Sequence, residues 1–355
     1  MRNTGTRGYS GYRGRRPDGR RWLIVALVLI ILAAVAFWAV QRYIVYDMGG
    51  YHFELPWRRS AENVQPEHPA VRPDLEIVIE GGDGEQPPVT QPLHAQELDV
   101  STLQGGAARA LQALPENVNA VAIRLKNSGG ELLYPSTLPE ALEAKAVVGS
   151  SIVGMSVREL CTSDYYTVAR LSALHDSIYS FAHMTDAAVQ QLAYNGYIWY
   201  APDSTFYLAP EKELARQYLV NIAREVAALG FDEVLFDEFT YPPGGRLNNI
   251  RTEDRTMTQE EALALLADEL RAALEPTGTR LSLTLDAATV LAGGNETTGQ
   301  SLAALADRFD RIYVPTAEEQ LPELRAALEP YTAELVPILA EPPADDVPYL
   351  LASNP

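Results

Sequence analysis

The chain has a single cysteine, Cys161, in 355 residues. One cysteine excludes an internal disulfide and fits none of the cysteine-rich metal motifs. The five histidines show no metal-ligand spacing such as His-x-x-x-His, so the sequence predicts no catalytic transition metal. Phosphate-binding loops, dinucleotide-binding glycine motifs and the Gly-x-Ser-x-Gly nucleophile motif are also missing. We therefore expect no cofactor.

The formal net charge of −19 is unevenly distributed along the chain. Residues 1–21 contain seven arginines and one aspartate, so this tail carries +6 and the rest of the chain −25. The Arg-, Gly- and Tyr-rich composition of the tail is of low complexity and predicts disorder. A body so acidic is a poor partner for nucleic acid, and none is expected.

The longest apolar run covers residues 22–40, nineteen residues without a charge. As a helix it would span about 28 Å, the thickness of a hydrocarbon core. The excess of arginine before this run predicts a single-pass signal anchor in the cell membrane, with residues 1–21 in the cytoplasm and the remainder outside. The alternatives are a signal peptide cleaved after residues 34–36, Ala-Val-Ala, and a buried core helix.

Residues 41–74 carry prolines among charges without periodicity and predict a juxtamembrane linker, followed by one domain over 75–355. Residues 75–80 alternate like a strand. From residue 92, strand-like and helix-like patterns alternate. The predicted strands are 92–98, 119–125, 165–171, 206–209, 232–237, 281–286, 311–315 and 335–340. The predicted helices are 101–114, 138–145, 156–162, 185–194, 211–229, 258–274, 300–307 and 319–328.

Eight strands with helices between them predict an α/β fold of the (β/α)8 TIM-barrel type. Two features oppose a regular barrel. Pro315 and Pro337 fall inside short strands, where proline removes a ladder hydrogen bond. The residues up to Pro355 also leave little room for an eighth helix. Whether the barrel closes completely is therefore left open.

Residues 230–242, Gly-Phe-Asp-Glu-Val-Leu-Phe-Asp-Glu-Phe-Thr-Tyr-Pro, are the most informative segment. They follow a helix with an apolar stripe and combine a glycine stop, a short buried strand and two carboxylates, Asp237 and Glu238. In barrels of this kind the chemistry lies at the C-terminal ends of the strands. The alternative is that these acids only cap the next helix or face solvent.

This segment resembles the signature of a family of bacterial glycoside-hydrolase-like TIM-barrel domains, long catalogued as a domain of unknown function. Residues 119–130, 169–176 and 199–210 are similar to further parts of the family pattern, and the resemblance covers roughly residues 93–240. It implies a glycoside hydrolase acting on glycan. Asp237 and Asp176 match the family pattern. The chain departs from it at Arg124, where the family carries an acid, and at Glu238 and Thr240, where it carries an aromatic residue and an arginine.

Further carboxylates end two other predicted strands. Residues 281–286 alternate so that Ser282 and Thr284 point into the barrel and Asp286 into its mouth, and the last predicted strand is followed by Glu341. Glycoside hydrolysis needs two carboxyl groups, so Asp237, Glu238, Asp286 and Glu341 are the candidate catalytic residues. For Asp286 and Glu341 helix capping is a comparable interpretation.

The candidate substrate-binding residues are of two kinds. Arg170 lies in a strand where alternation turns it inward, and it needs a carboxylate partner such as one of the mouth acids. His175 and Asp176 close the same strand; His175 can hold a sugar hydroxyl or act as a cap. The aromatic candidates are Trp199, Tyr200 and Tyr241, because aromatic rings stack on the apolar faces of sugars, although such residues also fill cores.

Three functions remain open at this point: a membrane-anchored glycoside hydrolase of cell-envelope or extracellular glycan, a catalytically silent glycan-binding barrel, and a structural envelope protein. For the enzyme, Asp237→Asn is expected to abolish hydrolysis with the fold intact. If Asp237 instead pairs with Arg170 below the mouth, the same change is expected to lower the melting temperature.

Overall fold

The computed structural model describes residues 92–193, 197–253 and 255–352, together with the backbone of 44–47 and 50–53. The chain divides into two compact units, Met1–Gly84 and Glu85–Pro355. In the first unit the strands Ile44–Asp47 and Gly50–Phe53 pair antiparallel, within the segment predicted to be an irregular linker. The tail at 1–21, the anchor at 22–40 and the strand at 75–80 were predicted for residues outside those described.

Eight parallel strands in the second unit form a closed barrel. In chain order they are β1 His94–Leu98, β2 Ala120–Lys126, β3 Tyr166–Ser172, β4 Glu233–Asp237, β5 Arg280–Thr284, β6 Arg311–Pro315, β7 Glu334–Leu339 and β8 Tyr349–Leu351. Each strand pairs with the next one in the chain, and β8 pairs with β1. The barrel is therefore complete, which answers the question left open by the sequence.

Helices connect the strands on the outside of the barrel. They are α1 Ala107–Gln112, α2 Pro139–Glu143, α3 Ser151–Cys161, α4 Ser177–Ala182, α5 Glu213–Ala228, α6 Gln259–Leu274, α7 Ala287–Ala292, α8 Leu302–Leu305 and α9 Leu321–Leu328. Short 3-10 turns cover Val100–Gly105, Leu247–Asn249, Glu275–Thr277, Ala306–Arg308 and Glu318–Gln320, and Gly294–Asn295 pairs with Gln300–Ser301. Within the described ranges, no helix has the length and apolarity needed to cross a membrane.

Helix α5 shows how local sequence sets an element. Tyr218, Ile222 and Val226 of the predicted stripe are buried against the barrel, and the chain leaves the helix through Gly230 at φ 102°. This left-handed conformation is readily available only to glycine, so a substitution there would be strained. The predicted helix starts at residue 211, whereas the observed helix begins at Glu213 with Lys212 as its N-cap residue.

Seven of the eight predicted strands are confirmed, and the strand predicted at 206–209 is wrong. Tyr207 and Leu208 form only isolated bridges, to His175 and Ala188, while β3 pairs directly with β4. The eighth strand is β8, whose three residues are too few to show alternation in the sequence. Pro337 lies opposite Val314 in the ladder between β6 and β7, so neither of the two prolines interrupts the barrel.

The helix predicted at 185–194 is also wrong over its described residues, which form turns and isolated bridges. Helices α4 and α7 were not predicted. Each has six residues, less than two helical turns, so neither shows a helical period in the sequence.

The interior of the barrel is apolar in the middle. Alternating strand residues form one buried cluster there: Leu93, Ala95, Ala120, Ala122, Val168, Leu235, Tyr313, Val336, Ile338 and Leu350. The intervening residues pack under the helices in a larger cluster. Because side chains alternate along a strand, residues two positions beyond the apolar cluster face the same interior. At the C-terminal ends of β1 to β4 those residues are polar.

Candidate active site

Five consecutive strands contribute one polar side chain each to the C-terminal end of the barrel interior. These are Glu97 from β1, Arg124 from β2, Arg170 from β3, Asp237 from β4 and Thr284 from β5, and we call them the polar layer. Four of the five follow an interior apolar residue of the same strand by two positions. Alternation of side chains along the strands places these residues in one layer. The layer contains two arginines and two carboxylates, so its charges balance.

Asp237 is the centre of the polar layer. Its Oδ2 accepts from Arg170 Nε at 3.1 Å and Arg124 Nη1 at 2.9 Å, and its Oδ1 accepts from Arg170 Nη2 at 2.9 Å and Thr284 Oγ1 at 2.7 Å. Its side chain is only 8% exposed. Burial raises the pKa of Asp237, but the charges of Arg170 and Arg124 with the hydrogen bonds outweigh burial and hold it below its usual value.

Glu97 binds the other side of the two arginines. Arg170 Nη1 lies 2.8 Å from Glu97 Oε2, and Arg124 Nη2 lies 3.5 Å from Oε1. The prediction that Arg170 pairs with a mouth acid is confirmed by its bidentate bond to Asp237, and the inward direction of Thr284 is confirmed as well. Glu97 was missed, although its spacing of two from the buried Ala95 was a usable signal.

Glu238 lies at the rim, next to Asp237 in sequence but in a different environment. Its backbone has φ 52°, a left-handed conformation that is strained for a non-glycine residue. Its carboxylate accepts from Ser172 Oγ and is bonded to His175 Nδ1 at 3.1 Å, and its side chain is 38% exposed. Burial raises the pKa of Glu238, but the bonds from His175 and Ser172 prevail and lower it. Glu238 is therefore an ionised carboxylate open to solvent.

His175 holds Glu238 in a fixed position. Its Nε2 is hydrogen-bonded to Thr205 Oγ1 at 2.7 Å, and its ring stacks on Tyr207 with centroids 4.5 Å apart. Thr205 in turn donates to Asp203 Oδ1 at 2.7 Å. Both ring nitrogens of His175 are hydrogen-bonded and one face of its ring is covered, so the imidazole supports the carboxylate of Glu238. This role differs from helix capping, which was one of the two roles predicted for His175.

Asp176 is placed away from solvent. It forms an ion pair with Lys126 at 2.8 Å, both side chains have no exposed surface, and its Oδ1 caps α4 by accepting from the Tyr179 backbone at 2.8 Å. Lys126 also donates to the Ser172 carbonyl at 2.9 Å. A side chain without exposed surface offers no atom to a ligand that enters from solvent, and the ion pair with Lys126 and the cap of α4 give Asp176 a structural role.

The two remaining candidate acids are exposed. Asp286 caps α7, accepting from the Thr289 backbone at 2.8 Å and from its hydroxyl at 2.7 Å, as the capping interpretation requires. Strand β5 ends at Thr284, so alternation no longer directs Asp286 into the mouth. Glu341 follows β7 in a bend. Neither belongs to the polar layer.

The three aromatic candidates differ in exposure. Trp199 is 2% exposed, with its Nε1 donating to the Arg246 carbonyl at 3.0 Å, and Tyr241 is buried with its hydroxyl donating to Glu211. Both are core residues, so their positions do not fit the predicted stacking on a sugar. Tyr200 is 52% exposed and has the accessible ring that a sugar platform needs.

Asp237 and Glu238 differ in the chemistry that their surroundings allow. A carboxylate has about four lone-pair positions, and Asp237 accepts four hydrogen bonds. It is fixed and ionised, and any attack by it requires an arginine to move. Glu238 keeps solvent access and is ionised, which suits a base or a nucleophile. Among the described residues, no group of three or more His, Cys, Asp or Glu side chains is arranged to hold a metal ion.

Many solved structures are similar to the chain, and three of them show the extent of the similarity. The PgaB (BpsB) glycoside hydrolase domain from Bordetella bronchiseptica has TM-score 0.53 and 14% identity over 74% of this chain and 94% of that one. A hypothetical protein from Ruminiclostridium thermocellum has TM-score 0.43 and 23% identity over 53% and 96% of the two chains. The glycoside hydrolase domain of PelA from Pseudomonas aeruginosa has TM-score 0.39 and 14% identity over 70% and 83%.

At these identities, the PgaB domain supports the fold alone. No curated protein sequence matches the chain. Residues 108–315, however, match the family described as "Putative glycosyl hydrolase domain". This match covers more than half of the 355 residues, from α1 to the end of β6, and includes four of the five residues of the polar layer. The chain therefore belongs to the putative glycosyl hydrolase domain family.

Proposed function

We propose that the barrel binds glycan at its C-terminal mouth and hydrolyses a glycosidic bond there, with Glu238 as the carboxylate that contacts the reacting sugar. The observation that carries this proposal is the position of Glu238. It follows β4 directly, its backbone is strained, and Ser172 and His175 hold its half-exposed carboxylate. Strained, over-determined residues at strand ends are typical of active sites. Membership of the family supports the same activity.

In this proposal the two adjacent acids have different roles. Glu238 is ionised and accessible, so it acts as the base that activates water or as the nucleophile. Asp237 is a positioning residue, because it holds Arg124 and Arg170 in the floor of the mouth. Tyr200 supplies an exposed ring for the sugar face.

The substitution Glu238→Gln tests the assignment. Glutamine keeps the size and can still accept from Ser172, but it has no negative charge for proton abstraction or attack. We expect hydrolysis in a panel of labelled envelope and extracellular glycans to fall by about 10²- to 10⁴-fold, with an unchanged melting temperature. Glu329→Gln, an exposed acid after α9, is the matched control and is expected to leave turnover unchanged. Full turnover by Glu238→Gln would remove Glu238 from the mechanism.

A second candidate function is glycan binding without turnover. Glycosidases need one carboxyl that donates a proton as well as one that stays ionised. The pKa values of Asp237 and Glu238 are both lowered, so neither is held protonated. If wild type binds a glycan in the panel but releases no product, and Glu238→Gln only weakens binding, the barrel is a binding module.

We also propose that residues 22–40 anchor the chain in the cell membrane with the barrel outside the cytoplasm, and the arginine asymmetry around this run supports that orientation. Protease added to intact cells is then expected to remove the barrel and leave a small anchored fragment. A barrel that stays intact until the cells are lysed would contradict the orientation. Release of a protein with a mature N-terminus near Phe37 would instead indicate a cleaved signal peptide.

A further inference from the structure

A chain of four polar side chains ends at the carboxylate of Glu238. In order they are Asp203, Thr205, His175 and Glu238, joined by contacts of 2.7, 2.7 and 3.1 Å. The backbone fixes this order, because residues 174–176 and 206–208 are paired by hydrogen bonds that bring the loop with Thr205 against the end of β3. Each contact is short enough for a direct hydrogen bond.

The direction of the hydrogen bonds in this chain is set at Asp203. A hydroxyl has one proton to donate, and the hydroxyl of Thr205 donates it to the Asp203 carboxylate at 2.7 Å. The bond from Thr205 lowers the pKa of Asp203, so the acceptor is ionised. Oγ1 of Thr205 therefore accepts from His175, and Nε2 of the imidazole carries a proton.

The other ring nitrogen of His175 faces a carboxylate. Nδ1 lies 3.1 Å from Glu238 Oε1, and an ionised carboxylate only accepts hydrogen bonds. A neutral imidazole with its proton on Nε2 would place a lone pair against that oxygen. The contact is a hydrogen bond only when a further proton lies between Nδ1 and Oε1. The lowered pKa of Glu238 favours the nitrogen for that proton, which gives an imidazolium beside a carboxylate.

The groups around the imidazole favour a positive charge on it. Two carboxylates, Asp203 and Glu238, terminate the chain on its two sides. The ring stacked on the imidazole belongs to Tyr207, and burial raises the pKa of Tyr207 to about 12, so this ring is neutral. Lys126 reaches the end of the same strand, but its charge is balanced by Asp176.

We propose that His175 and Glu238 share one proton, and that Glu238 delivers it to the leaving oxygen of a glycosidic bond. The pair thus supplies the acid that neither Asp237 nor Glu238 supplies alone. His175 acts through Glu238, because both of its nitrogens are bonded and its side chain is only 13% exposed. Delivery of the proton rests on the proposed function, whereas its sharing depends only on the hydrogen bonds.

The proton is returned at the end of the reaction. It leaves Nδ1 of His175 for Oε1 of Glu238 and passes to the glycosidic oxygen, which keeps the electron pair of the breaking C–O bond. The hydroxyl group of a water molecule then bonds to the anomeric carbon. The remaining proton of that water goes back to Glu238 and from there to His175. Of the two roles proposed for Glu238, this cycle selects the base.

The first test measures the proton by magnetic resonance of isotope-labelled histidine in the full chain, kept in non-ionic detergent. The chain has five histidines, so His175→Asn identifies the signal of His175 by its loss. We expect His175 to keep both ring protons to a higher pH in wild type than in Glu238→Gln, because glutamine has no charge to hold the second proton. Identical behaviour in the two proteins would overturn the shared proton.

The second test uses leaving groups that differ in their need for a proton. Asparagine at position 175 can still donate to Glu238 but has no proton to release. We expect His175→Asn to slow hydrolysis of an unactivated oligosaccharide by about 10²-fold or more, and of a dinitrophenyl glycoside of the same sugar by less than about tenfold. Equal losses on both substrates would reduce His175 to a structural support. His183→Asn, at the end of α4, is the control and should match wild type.

Asp203→Asn tests the same chain without touching the ring of His175. The side chain of Asp203 is exposed, so the fold should be kept, and this variant decides the matter if His175→Asn melts early. Without the Asp203 charge the imidazolium is less stable. We expect the loss of oligosaccharide hydrolysis at high pH to begin at a lower pH than in wild type, and to be unshifted in Glu329→Gln. An unshifted profile in Asp203→Asn would overturn the proposal.

The failure of the hydrolase proposal is distinguishable from the failure of this one. If neither kind of glycoside is hydrolysed, the hydrolase proposal and proton delivery both fail, and a difference between the His175 signals of wild type and Glu238→Gln would still establish the shared proton. If glycosides are hydrolysed and the effect of His175→Asn does not depend on the leaving group, only proton delivery is overturned.

Discussion

Asp237→Asn is expected to lower the free energy of unfolding by about 3 kcal/mol, because removing one partner of a buried ion pair leaves its cation uncompensated. Asparagine keeps the shape but loses the charge that faces Arg170 and Arg124, and its amide nitrogen cannot accept the bonds that one carboxylate oxygen receives. Glu97 remains and balances only one arginine. Chemical denaturation of wild type and variant measures the difference.

The matched control for this change is Thr284→Val, which removes a single hydrogen bond to Asp237 and is expected to cost about 1 kcal/mol. If Asp237→Asn melts like wild type and has lost only turnover, Asp237 is a reacting group and not a positioning residue. That outcome would restore the catalytic role that the sequence assigned to it.

The lowered pKa of Asp237 predicts how the stability difference between wild type and Asp237→Asn depends on pH. A carboxyl with a folded pKa below its unfolded value of about 3.9 contributes stability that is fully present above that value and is lost as pH falls through the folded pKa. The stability gap between wild type and Asp237→Asn is therefore expected to be constant near neutral pH and to shrink on acidification below about pH 4. A gap that widens on acidification would contradict the ion-pair interpretation.

Lys126→Met is expected to destabilise the protein by about 3–5 kcal/mol, the range for breaking a fully buried pair. Lys126 and Asp176 have no exposed surface, and methionine fills much of the lysine volume without its charge. Asp176 would then be buried with the Tyr179 backbone as its remaining donor. Denaturation curves of Lys126→Met, with Arg325→Met as an exposed control, measure the effect.

The double variant Lys126→Met, Asp176→Asn distinguishes a charge effect from a packing effect. If the stranded carboxylate causes the loss, the second change should recover part of it, because the coupling between contacting residues is then large. The contrary outcome is a double variant with a lower free energy of unfolding than Lys126→Met, by the full amount that Asp176→Asn alone removes. The two residues would then act independently, and the ion pair would not explain the instability of Lys126→Met.

The sequence by itself determined the elements whose signals are local. The stripe of Tyr218, Ile222 and Val226 predicts α5, and the run into Asp237 predicts β4, because periodicity and stop residues act over a few neighbouring positions. Alternation also predicts that Arg170 and Thr284 face inward. Repetition of such units is sufficient to indicate a barrel, although three-residue β8 gives no pattern.

Only the tertiary structure decided which charged groups meet. Arg124 and Asp237 are separated by 113 positions and belong to strands that are not neighbours, yet their side chains bond across the barrel interior. Adjacent Asp237 and Glu238 receive opposite environments, since the strand directs one inward and the positive φ turns the other to the rim. Sequence spacing carries no information on such encounters, because they depend on how the strands close around a common axis.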